Sequence, residues 1–328
     1  MDSLNLPGLA EIEAAARRLA GRAVVTPLLE SPALNARLGG RILLKPETLQ
    51  RTGSFKFRGA YNRLSQLDEA RRSAGVVAYS SGNHAQGVAA AAQLLGLPAT
   101  IVMPSDAPRI KVANTQGYGA EVVSYKRGVE NRKAIAEAIA TERGATIVPP
   151  YDDPDIIAGQ GTCGLEICQQ AEALGLHLDA ILVCCGGGGL TAGTGTVARA
   201  LSPETEVYTV EPAGWDDTAR SLAAGQRLAN EAPPKSFCDA LLAKEPGVLT
   251  FDINRRVAAG GFAVSDGEVA EAIRYAFTTL KLVVEPGGAV TLAALLSGRF
   301  DARDRCVAIT LSGGNIDPEL MARLLAEA

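Results

Sequence analysis

One lysine in the sequence has neighbours that suit covalent chemistry. Lys56 lies between Phe55 and Phe57 in the segment Arg51-Thr-Gly-Ser-Phe-Lys-Phe-Arg-Gly59. Flanking aromatic rings would exclude water from the ammonium group, which lowers its pKa and makes the neutral, nucleophilic amine available for a Schiff base. A lysine beside an aromatic residue is also commonly a surface residue whose aliphatic stem covers apolar atoms. The segment alone therefore leaves both interpretations open.

Two further segments are typical of anion binding. Tyr79-Ser-Ser-Gly-Asn-His-Ala-Gln-Gly87 follows a strand-like run and opens a helix, where free N–H groups and the helix dipole can hold a carboxylate or a phosphate. Ordinary N-capping by serine or asparagine explains the same pattern. Cys185-Gly-Gly-Gly-Gly-Leu-Thr-Ala-Gly193 frees several N–H groups to converge on one phosphate. A dinucleotide motif is the alternative there, because Gly187, Gly189 and Ala192 fit G-x-G-x-x-A.

Two more polar segments follow predicted strands. Thr310-Leu-Ser-Gly-Gly-Asn315 places the Ser312 hydroxyl at the end of the last strand, where open parallel sheets bind ligands. A simple serine-glycine turn fits equally well. Val210-Glu-Pro-Ala-Gly-Trp-Asp-Asp217 could hold a hard cation between Glu211, Asp217 and backbone carbonyls, or could form a solvated acidic turn.

The elements that must position these residues alternate along the chain. Short β-branched runs alternate with alanine-rich segments of helical period, which predicts a parallel α/β architecture. The predicted strands cover residues 41–45, 75–79, 99–103, 121–125, 146–148, 180–184, 206–210 and 305–311. The clearest predicted helices cover residues 130–143, 269–282 and 318–328, and residues 223–234 are expected to form a surface loop. We expect a small domain at residues 72–150, inserted into a large domain made of residues 1–71 and 151–328.

Composition sets limits on the class of protein. The chain has 328 residues, 47% of them hydrophobic and 21% charged, which suits about two domains with large cores. A formal net charge of -4 provides no general attraction to nucleic acid or to an anionic membrane. We see no secretion signal and no apolar run of membrane-spanning length, and the six cysteines form no CxxC pair. A cytoplasmic protein with reduced cysteines is therefore expected.

Taken in this order, the lysine segment, the Ser-Ser-Gly-Asn-His loop, the tetraglycine loop and Ser-Gly-Gly-Asn resemble the serine/threonine dehydratase family. This family of fold-type II pyridoxal-phosphate enzymes includes serine racemase and 3-hydroxyaspartate dehydratase. The resemblance covers nearly the whole chain. It implies an α/β fold similar to the tryptophan synthase β chain, with two open parallel-sheet domains and the cofactor in the cleft between them.

The resemblance also implies roles for individual residues. Lys56 would form the Schiff base with pyridoxal 5'-phosphate and then remove the substrate's α-proton, and Ser81 would be the opposite-face acid/base of a racemase. The implied cofactor-binding residues are Phe55, Lys56, Asn83, Gly186, Gly187, Gly188, Gly189, Leu190 and Ser312. The implied carboxylate-binding residues are Ser80, Ser81, Gly82, Asn83 and His84. Glu211, Asp217 and the carbonyl of Trp215 would bind Mg²⁺ or Ca²⁺.

The expected reaction is β-elimination from a small β-hydroxy amino acid, foremost L-threonine or L-serine, to a 2-oxo acid and ammonia by a homodimer. One alternative is a 3-hydroxyaspartate dehydratase, for which Arg132 and Arg58 are the nearby cations that could take a second carboxylate. Another is a serine racemase-like enzyme, although the arginine of racemases falls in register with Ile135, one turn from Arg132. A non-catalytic nucleotide-binding protein is the alternative of a different class.

Overall fold

Two sheets form the scaffold of the protein in a computed structural model, which describes residues 6–80, 82–107, 109–231 and 233–327. The larger sheet has the strand order β1-β2-β10-β7-β8-β9 and the smaller sheet the order β5-β4-β3-β6. The strands are β1 Leu29–Glu30, β2 Arg41–Pro46, β3 Val76–Tyr79, β4 Ala99–Pro104, β5 Glu121–Tyr125, β6 Thr146–Ile147, β7 Ala180–Cys184, β8 Glu206–Pro212, β9 Gly260–Val264 and β10 Cys306–Leu311.

Helices cover the sheets. They are α1 Leu9–Leu19, α2 Pro32–Leu38, α3 Lys56–Ser65, α4 Glu69–Ala74, α5 Asn83–Leu95, α6 Arg109–Gly117, α7 Arg132–Arg143, α8 Pro154–Ala173, α9 Gly189–Leu201, α10 Asp217–Ala224, α11 Val248–Val257, α12 Asp266–Tyr275, α13 Pro286–Leu296 and α14 Pro318–Ala326. Short polar side chains start several of them: the Asn131 side chain accepts from the Lys133 and Ala134 amides at the start of α7, and Asp153 caps α8. Among the described residues, none of the helices combines the length and the apolar composition that crossing a bilayer requires.

The larger sheet is parallel except at one edge. β10 pairs in parallel with both β2 and β7, so that Ile309 lies opposite Leu44 on one side and Leu182 on the other. The two-residue β1 pairs antiparallel with β2. Every residue of β7 is buried, as expected for a parallel strand that is covered by helices on both faces.

The smaller sheet contains the four strands that the sequence predicts between residues 72 and 150, all of them parallel. Two parallel-sheet α/β domains are therefore present, as predicted. α3 lies between them: it packs on α5 of the smaller sheet, and a methyl group on Gly159 of α8 would lie 2.7 Å from the Gly59 Cα. The domain boundaries near residues 71 and 151 stay a prediction.

Some predicted elements differ from those of the structure. β1 and β9 are absent from the prediction, because β1 has only two residues and β9 begins with Gly260 and Gly261, which have low strand propensity. The helix predicted at 269–282 starts earlier, at Asp266 after a Ser265 capping box, and its end is a π-helical turn at Ala276–Leu280. The described residues of the polar segment at 223–234 have no helix or strand after α10 ends, as predicted, and Arg227, Asn230, Glu231 and Pro233 from this segment line the cavity described below.

Candidate active site

A cavity of about 880 Å³ lies between the two sheets. Its walls include the ends of β3, β7 and β10 and the starts of the helices that follow β3 and β7, which is where ligands bind in parallel sheets. Of the residues proposed from the sequence, the cavity is lined by Phe55, Lys56, Ser80, Gly82, Asn83, His84, Gly186, Gly187, Gly188, Gly189, Leu190, Ser312 and Trp215. Segments that are more than a hundred residues apart in sequence therefore meet at one place. Ser81 lies outside the described residues.

Lys56 is the first residue of α3 and presents its amine to the cavity. Its Nζ donates to the Pro150 carbonyl at 2.7 Å and lies 4.9 Å from the centroid of the Phe55 ring. Burial lowers the pKa of Lys56 to about 8, and Glu285 partly opposes this shift. A substantial fraction of the amine is therefore neutral near pH 8.

The two phenylalanines beside Lys56 have different roles. Phe55 lines the cavity, whereas Phe57 is fully buried and packs on Tyr61 with ring centroids 5.6 Å apart. Helical geometry explains the difference, because residues two positions apart point in directions about 200° apart around the helix axis. Only Phe55 lies next to the amine, so the expectation that both rings desolvate Lys56 is wrong.

The loop from β3 to α5 supplies polar groups beside the lysine. The Ser80 hydroxyl accepts from the Gly82 amide at 3.2 Å. His84 is buried, and its Nε2 lies 2.9 Å from the Val148 carbonyl, an acceptor that requires the imidazole to donate. Burial and the charge of Lys56 lower the pKa of His84 to about 3, so the ring is neutral at physiological pH. The neutral ring gives its one N–H to Val148, so the donors that this loop can offer a carboxylate are its hydroxyl and its backbone amides.

The tetraglycine loop has no room for side chains. Gly188 has a φ of +92°, and a methyl group there would lie 2.7 Å from Asn254 Nδ2. A methyl group on Gly187 would lie 2.3 Å from the Tyr151 ring. The Gly187 carbonyl accepts from the Thr250 hydroxyl at 2.6 Å, whereas the amides of Gly186, Gly187 and Gly188 donate to no backbone carbonyl within the described ranges. These amides are available to a phosphate, which fits a cradle at the start of α9.

Ser312 follows β10 and closes the opposite side of the cavity. Its carbonyl accepts from the Phe55 amide at 3.1 Å, and an antiparallel bridge joins Ser54 to Gly313. These contacts hold the lysine segment against the last strand. Ser312 is buried at 4% exposure and still lines the cavity, so its hydroxyl can face a ligand there.

Charged residues that sequence reasoning missed also line the cavity. They include Glu285, Lys111 and Asp239, of which Lys111 Nζ and Asp239 Oδ2 form an ion pair at 2.7 Å. Glu285 is buried, and its Oε1 accepts a short hydrogen bond from Asn83 Nδ2. Lys111 and Asp239 lie in no glycine-rich motif, whereas Glu285 opens the segment Glu285-Pro-Gly-Gly288, which is not among the predicted site segments.

The two arginines considered for a second carboxylate have different environments. Arg58 is buried and bound by Glu47 and Glu166 at 2.6–2.9 Å, so it is unable to reach a ligand in the cavity and its assignment is wrong. Arg132 lines the cavity, and its guanidinium lies 5.7 Å from the centroid of the Tyr79 ring. Ile135, the residue in register with the racemase arginine, packs with the core of the smaller sheet.

The proposed cation ligands lie at the start of α10. Glu211 is buried and accepts from the Thr218 and Ala219 amides at 3.0 and 2.8 Å. Asp217 is buried as well; its Oδ1 accepts from Asn230 at 2.8 Å and its Oδ2 has no hydrogen-bond partner within the part of the chain described. Burial raises the pKa of both carboxyl groups. Among the described residues, no group of three or more His, Cys, Asp or Glu is arranged to hold a metal ion.

Comparisons with known proteins agree on one family. Residues 20–312 match the family described as pyridoxal-phosphate dependent enzyme. The chain is 46% identical to L-threo-3-hydroxyaspartate ammonia-lyase of a Pseudomonas species, over 98% of this chain and 99% of the relative. It is 40% identical to serine racemase of Schizosaccharomyces pombe over 99% of each chain. A solved structure of serine racemase from Dictyostelium discoideum is 38% identical, with a TM-score of 0.88 over 95% of this chain and 99% of the other.

Proposed function

Because the chain belongs to the pyridoxal-phosphate-dependent enzyme family, we propose that it is an ammonia-lyase that converts an acidic β-hydroxy amino acid of the 3-hydroxyaspartate type to a 2-oxo acid and ammonia. The observation that carries the choice of substrate is Arg132, a cavity-lining cation that has no ion pair within the described ranges. The relative named L-threo-3-hydroxyaspartate ammonia-lyase, at 46% identity, supports the same choice.

The cavity residues fit the cofactor. The open amides of the tetraglycine loop suit its phosphate, the Lys56 amine suits its aldehyde, and the Ser312 hydroxyl suits the ring nitrogen. When bound, pyridoxal phosphate supplies an electron sink that stabilises the carbanion left after loss of the α-proton. A neutral hydroxyl next to the ring nitrogen favours prompt loss of the β-substituent over transamination, since it does not hold a proton on that nitrogen as an aspartate would.

The chain's own residues provide the remaining steps. Lys56 Nζ, with its lowered pKa, is the base that takes the proton from the substrate's α-carbon. The α-carboxylate binds the loop at Ser80, Gly82, Asn83 and His84, where the Ser80 hydroxyl and the backbone amides at the start of α5 provide donors. Ser81 lies outside the described residues, so its proposed role in this loop rests on the sequence alone. The β-hydroxyl leaves as water, and hydrolysis gives a 2-oxo acid and ammonia.

Arg132 would bind the second carboxylate of the substrate. Among the other cations of the cavity, Lys111 is neutralised by Asp239 and Arg227 lies 3.3 Å from Glu245. Lys133 is 66% exposed with Glu137 at 3.7 Å, and Lys244 is exposed as well. Arg132 has only the face of Tyr79 as a partner among the described residues, and a planar guanidinium on an aromatic ring stays free to bind a carboxylate through its edge. The second candidate substrate is L-threonine or L-serine. The contact between Arg132 and the Tyr79 ring supports this candidate, because Arg132 can remain on the ring when the substrate has no second carboxylate to bind.

Substitution of Arg132 tests the substrate. We expect Arg132→Met to lower kcat/KM for L-threo-3-hydroxyaspartate roughly 10- to 100-fold, as loss of a hydrogen bond to a charged group costs about 1.5–3 kcal/mol. The value for L-threonine should change less than about threefold, because its side chain carries no charge to lose. Lys133→Met is the matched control on the next residue, and Lys56→Ala gives the inactive baseline. If Arg132→Met lowers kcat/KM equally for the two substrates, or for neither, L-threonine or L-serine becomes the better choice of natural substrate.

We also propose that a divalent cation, Mg²⁺ or Ca²⁺, binds Glu211, Asp217 and the Trp215 carbonyl. Two buried carboxyl groups with raised pKa values lie beside each other, and no cation lies within ion-pair distance of either in the described ranges; Arg220, which lowers the pKa of Asp217, pairs with Asp216 instead. An oxygen of Asp217 also lacks any hydrogen bond there. Hard cations prefer such oxygen ligands, with water completing the coordination. Glu211 already caps α10 through both oxygens, so the cation would share this carboxylate with the helix.

We also propose that the protein is a homodimer and that it lies in the cytoplasm. Support for the compartment comes from the six cysteines, which are unpaired, five of them buried; free thiols are typical of a reducing environment. Support for the dimer comes from an exposed apolar patch, which is described in the Discussion with its test.

A further inference from the structure

Glu285 is a buried carboxyl group that the reaction described above does not use. It is the N-cap residue of α13, directly before Pro286, and its side chain makes no capping hydrogen bond. Its carboxyl instead turns into the cavity, where Oε1 accepts from Asn83 Nδ2. A methyl group on Gly313 would lie 2.1 Å from this same oxygen, so the carboxyl lies against the backbone next to Ser312.

The contacts of Glu285 fix the Asn83 side chain. Asn83 Nδ2 donates to Glu285, while Asn83 Oδ1 accepts from Asn315 Nδ2 at 2.7 Å. Asn315 Nδ2 also donates to the Thr52 carbonyl at 2.8 Å, which anchors this end of the network to the lysine segment. The orientation of the Asn83 amide is therefore determined from both sides. Its second N–H remains available to the cavity as a donor.

The charges that face Glu285 come from several elements. Lys56 lies at the start of α3, Lys111 on α6, and Asp239 on the 3₁₀ turn after Cys238, while the facing residue of α5 is the neutral Asn83. None of the cations lies within ion-pair distance of the Glu285 carboxyl among the described residues. Burial, and then the charge of Asp239, raise the pKa of Glu285 to about 7, against the opposing effects of Lys111, Asn83 and Lys56.

We propose that Glu285 is a proton-exchanging residue of the cofactor site, which changes the charge beside Lys56 and, through Asn83, the hydrogen bond offered to the cofactor ring. The part that involves the ring rests on the proposed role of Asn83. An ionised Glu285 stabilises positive charge on the lysine nitrogen and holds the Asn83 amide as a donor. A protonated Glu285 provides no such charge, because the carboxyl is then neutral.

The proposal is tested without turnover, by the binding and the spectrum of pyridoxal phosphate. In Glu285→Gln, the pH midpoint for association of the cofactor with the apoenzyme should move down by about half a unit or more, since the charge that favours the Lys56 ammonium is lost. In the wild type, the visible spectrum of the bound cofactor should change with a midpoint near neutral pH. This change should be absent in Glu285→Gln.

Matched variants separate charge from structure. Glu231→Gln makes the same chemical change on an exposed residue of the same cavity and should titrate like the wild type. Glu285→Asp keeps a titratable group, so the spectral change should persist with a displaced midpoint. If the pH-dependent spectral change persists in Glu285→Gln, the proposal is overturned. It is also overturned if Glu285→Gln and Glu285→Asp both lose the spectral change while their melting curves stay like that of the wild type. A wild type without a visible band would instead overturn the cofactor reaction itself, and this proposal with it.

Discussion

Lys56 and Arg58 lie two positions apart on α3 and have opposite electrostatic environments. Lys56 is buried without a carboxylate within ion-pair distance among the described residues, so its pKa is lowered to about 8. Arg58 is held by Glu47 and Glu166, and these carboxylates raise its pKa further. The same helix therefore presents one cation that gives up its proton readily and one that keeps it. The first suits chemistry, and the second fixes the helix in the core.

Replacement of Arg58 is expected to destabilise the fold. Arg58→Met leaves Glu47, which is completely buried, without its main ionic partner. Breaking a buried ion pair on one side typically costs about 3–5 kcal/mol, because the remaining charge stays desolvated. We therefore expect the free energy of unfolding to fall by roughly this amount. Urea denaturation followed by circular dichroism measures the change.

Arg63 provides the matched control on the same helix. It pairs with Asp153 at 3.1 Å and with Asp155 at 3.5 Å, but its side chain is 19% exposed and its partners are partly solvated. Arg63→Met should cost about 1 kcal/mol or less. If Arg58→Met costs no more than Arg63→Met, the buried cluster contributes little and Glu47 must become protonated or solvated.

At the scale of elements, the start of α10 combines a helix N-terminus with two buried acids. The Glu211 carboxylate lies on the end of β8 and caps the helix, while Asp217 is its first residue. The dipole of α10 favours negative charge at this end of the helix. Burial, and the repulsion between the Glu211 and Asp217 carboxylates, disfavour that charge. The arrangement is therefore poised to gain stability from a cation.

Addition of Mg²⁺ or Ca²⁺ should raise the melting temperature of the wild type. Binding to the folded state alone stabilises it by about 2.7 kcal/mol at a concentration one hundred times the dissociation constant. Asp217→Asn should abolish the increase, because it removes the ligand oxygen that has no other partner among the described residues. Asp216→Asn, a change on the neighbouring, partly exposed residue, is the control. An equal increase in Asp217→Asn would place the cation elsewhere.

Stabilisation by Mg²⁺ or Ca²⁺ at Glu211 and Asp217 should depend on pH. Burial raises the pKa of Asp217 to about 6. Because this folded-state pKa exceeds the unfolded value of about 4, the metal-free protein should lose stability as the pH rises between these values. Above about pH 6 the carboxylate is ionised and available, so the cation should stabilise there and progressively less below it. Melting curves recorded with and without the cation across this range measure both trends.

At the scale of the whole molecule, the local parts of the site can be predicted from sequence and the long-range parts cannot. Lys56, the loop at residues 80–84 and the tetraglycine loop carry their signal in adjacent residues, and the structure brings the described residues of all three to one cavity. Glu285 and Lys111 reach that cavity only because β10 inserts between β2 and β7 and because the smaller sheet faces the larger one. No short stretch of sequence indicates that Glu285 and Lys111 lie at the same cavity. The assignment of Arg58 fails in part for the same reason, since one of its partners, Glu166, lies 108 residues away in sequence.

An apolar patch on the large domain supports a dimer. Val24, Val25, Leu49 and Val283 are 44–69% exposed. The segments that carry them touch: the Val24 amide donates to the Gln50 side chain at 2.9 Å, and a methyl group on Gly314 would meet both the Val283 carbonyl and Thr48. We refer to these four residues as the apolar patch. Grouped exposed aliphatic residues of this kind mark contact surfaces more often than isolated ones do.

Leu49→Glu should therefore convert a dimer into a monomer. A second copy of the chain covering the apolar patch would exclude water from Leu49, and burying an unpaired carboxylate there costs more than the contact contributes. Sedimentation velocity should give about twice the 34.0 kDa chain mass for the wild type and about the chain mass for the variant. Leu174→Glu changes an equally exposed leucine outside the patch, 56% exposed on the turn after α8, and should leave the dimer intact. A monomeric wild type would contradict the dimer, whereas a dimer that resists Leu49→Glu but not Leu174→Glu would place the interface at Leu174 instead of the apolar patch.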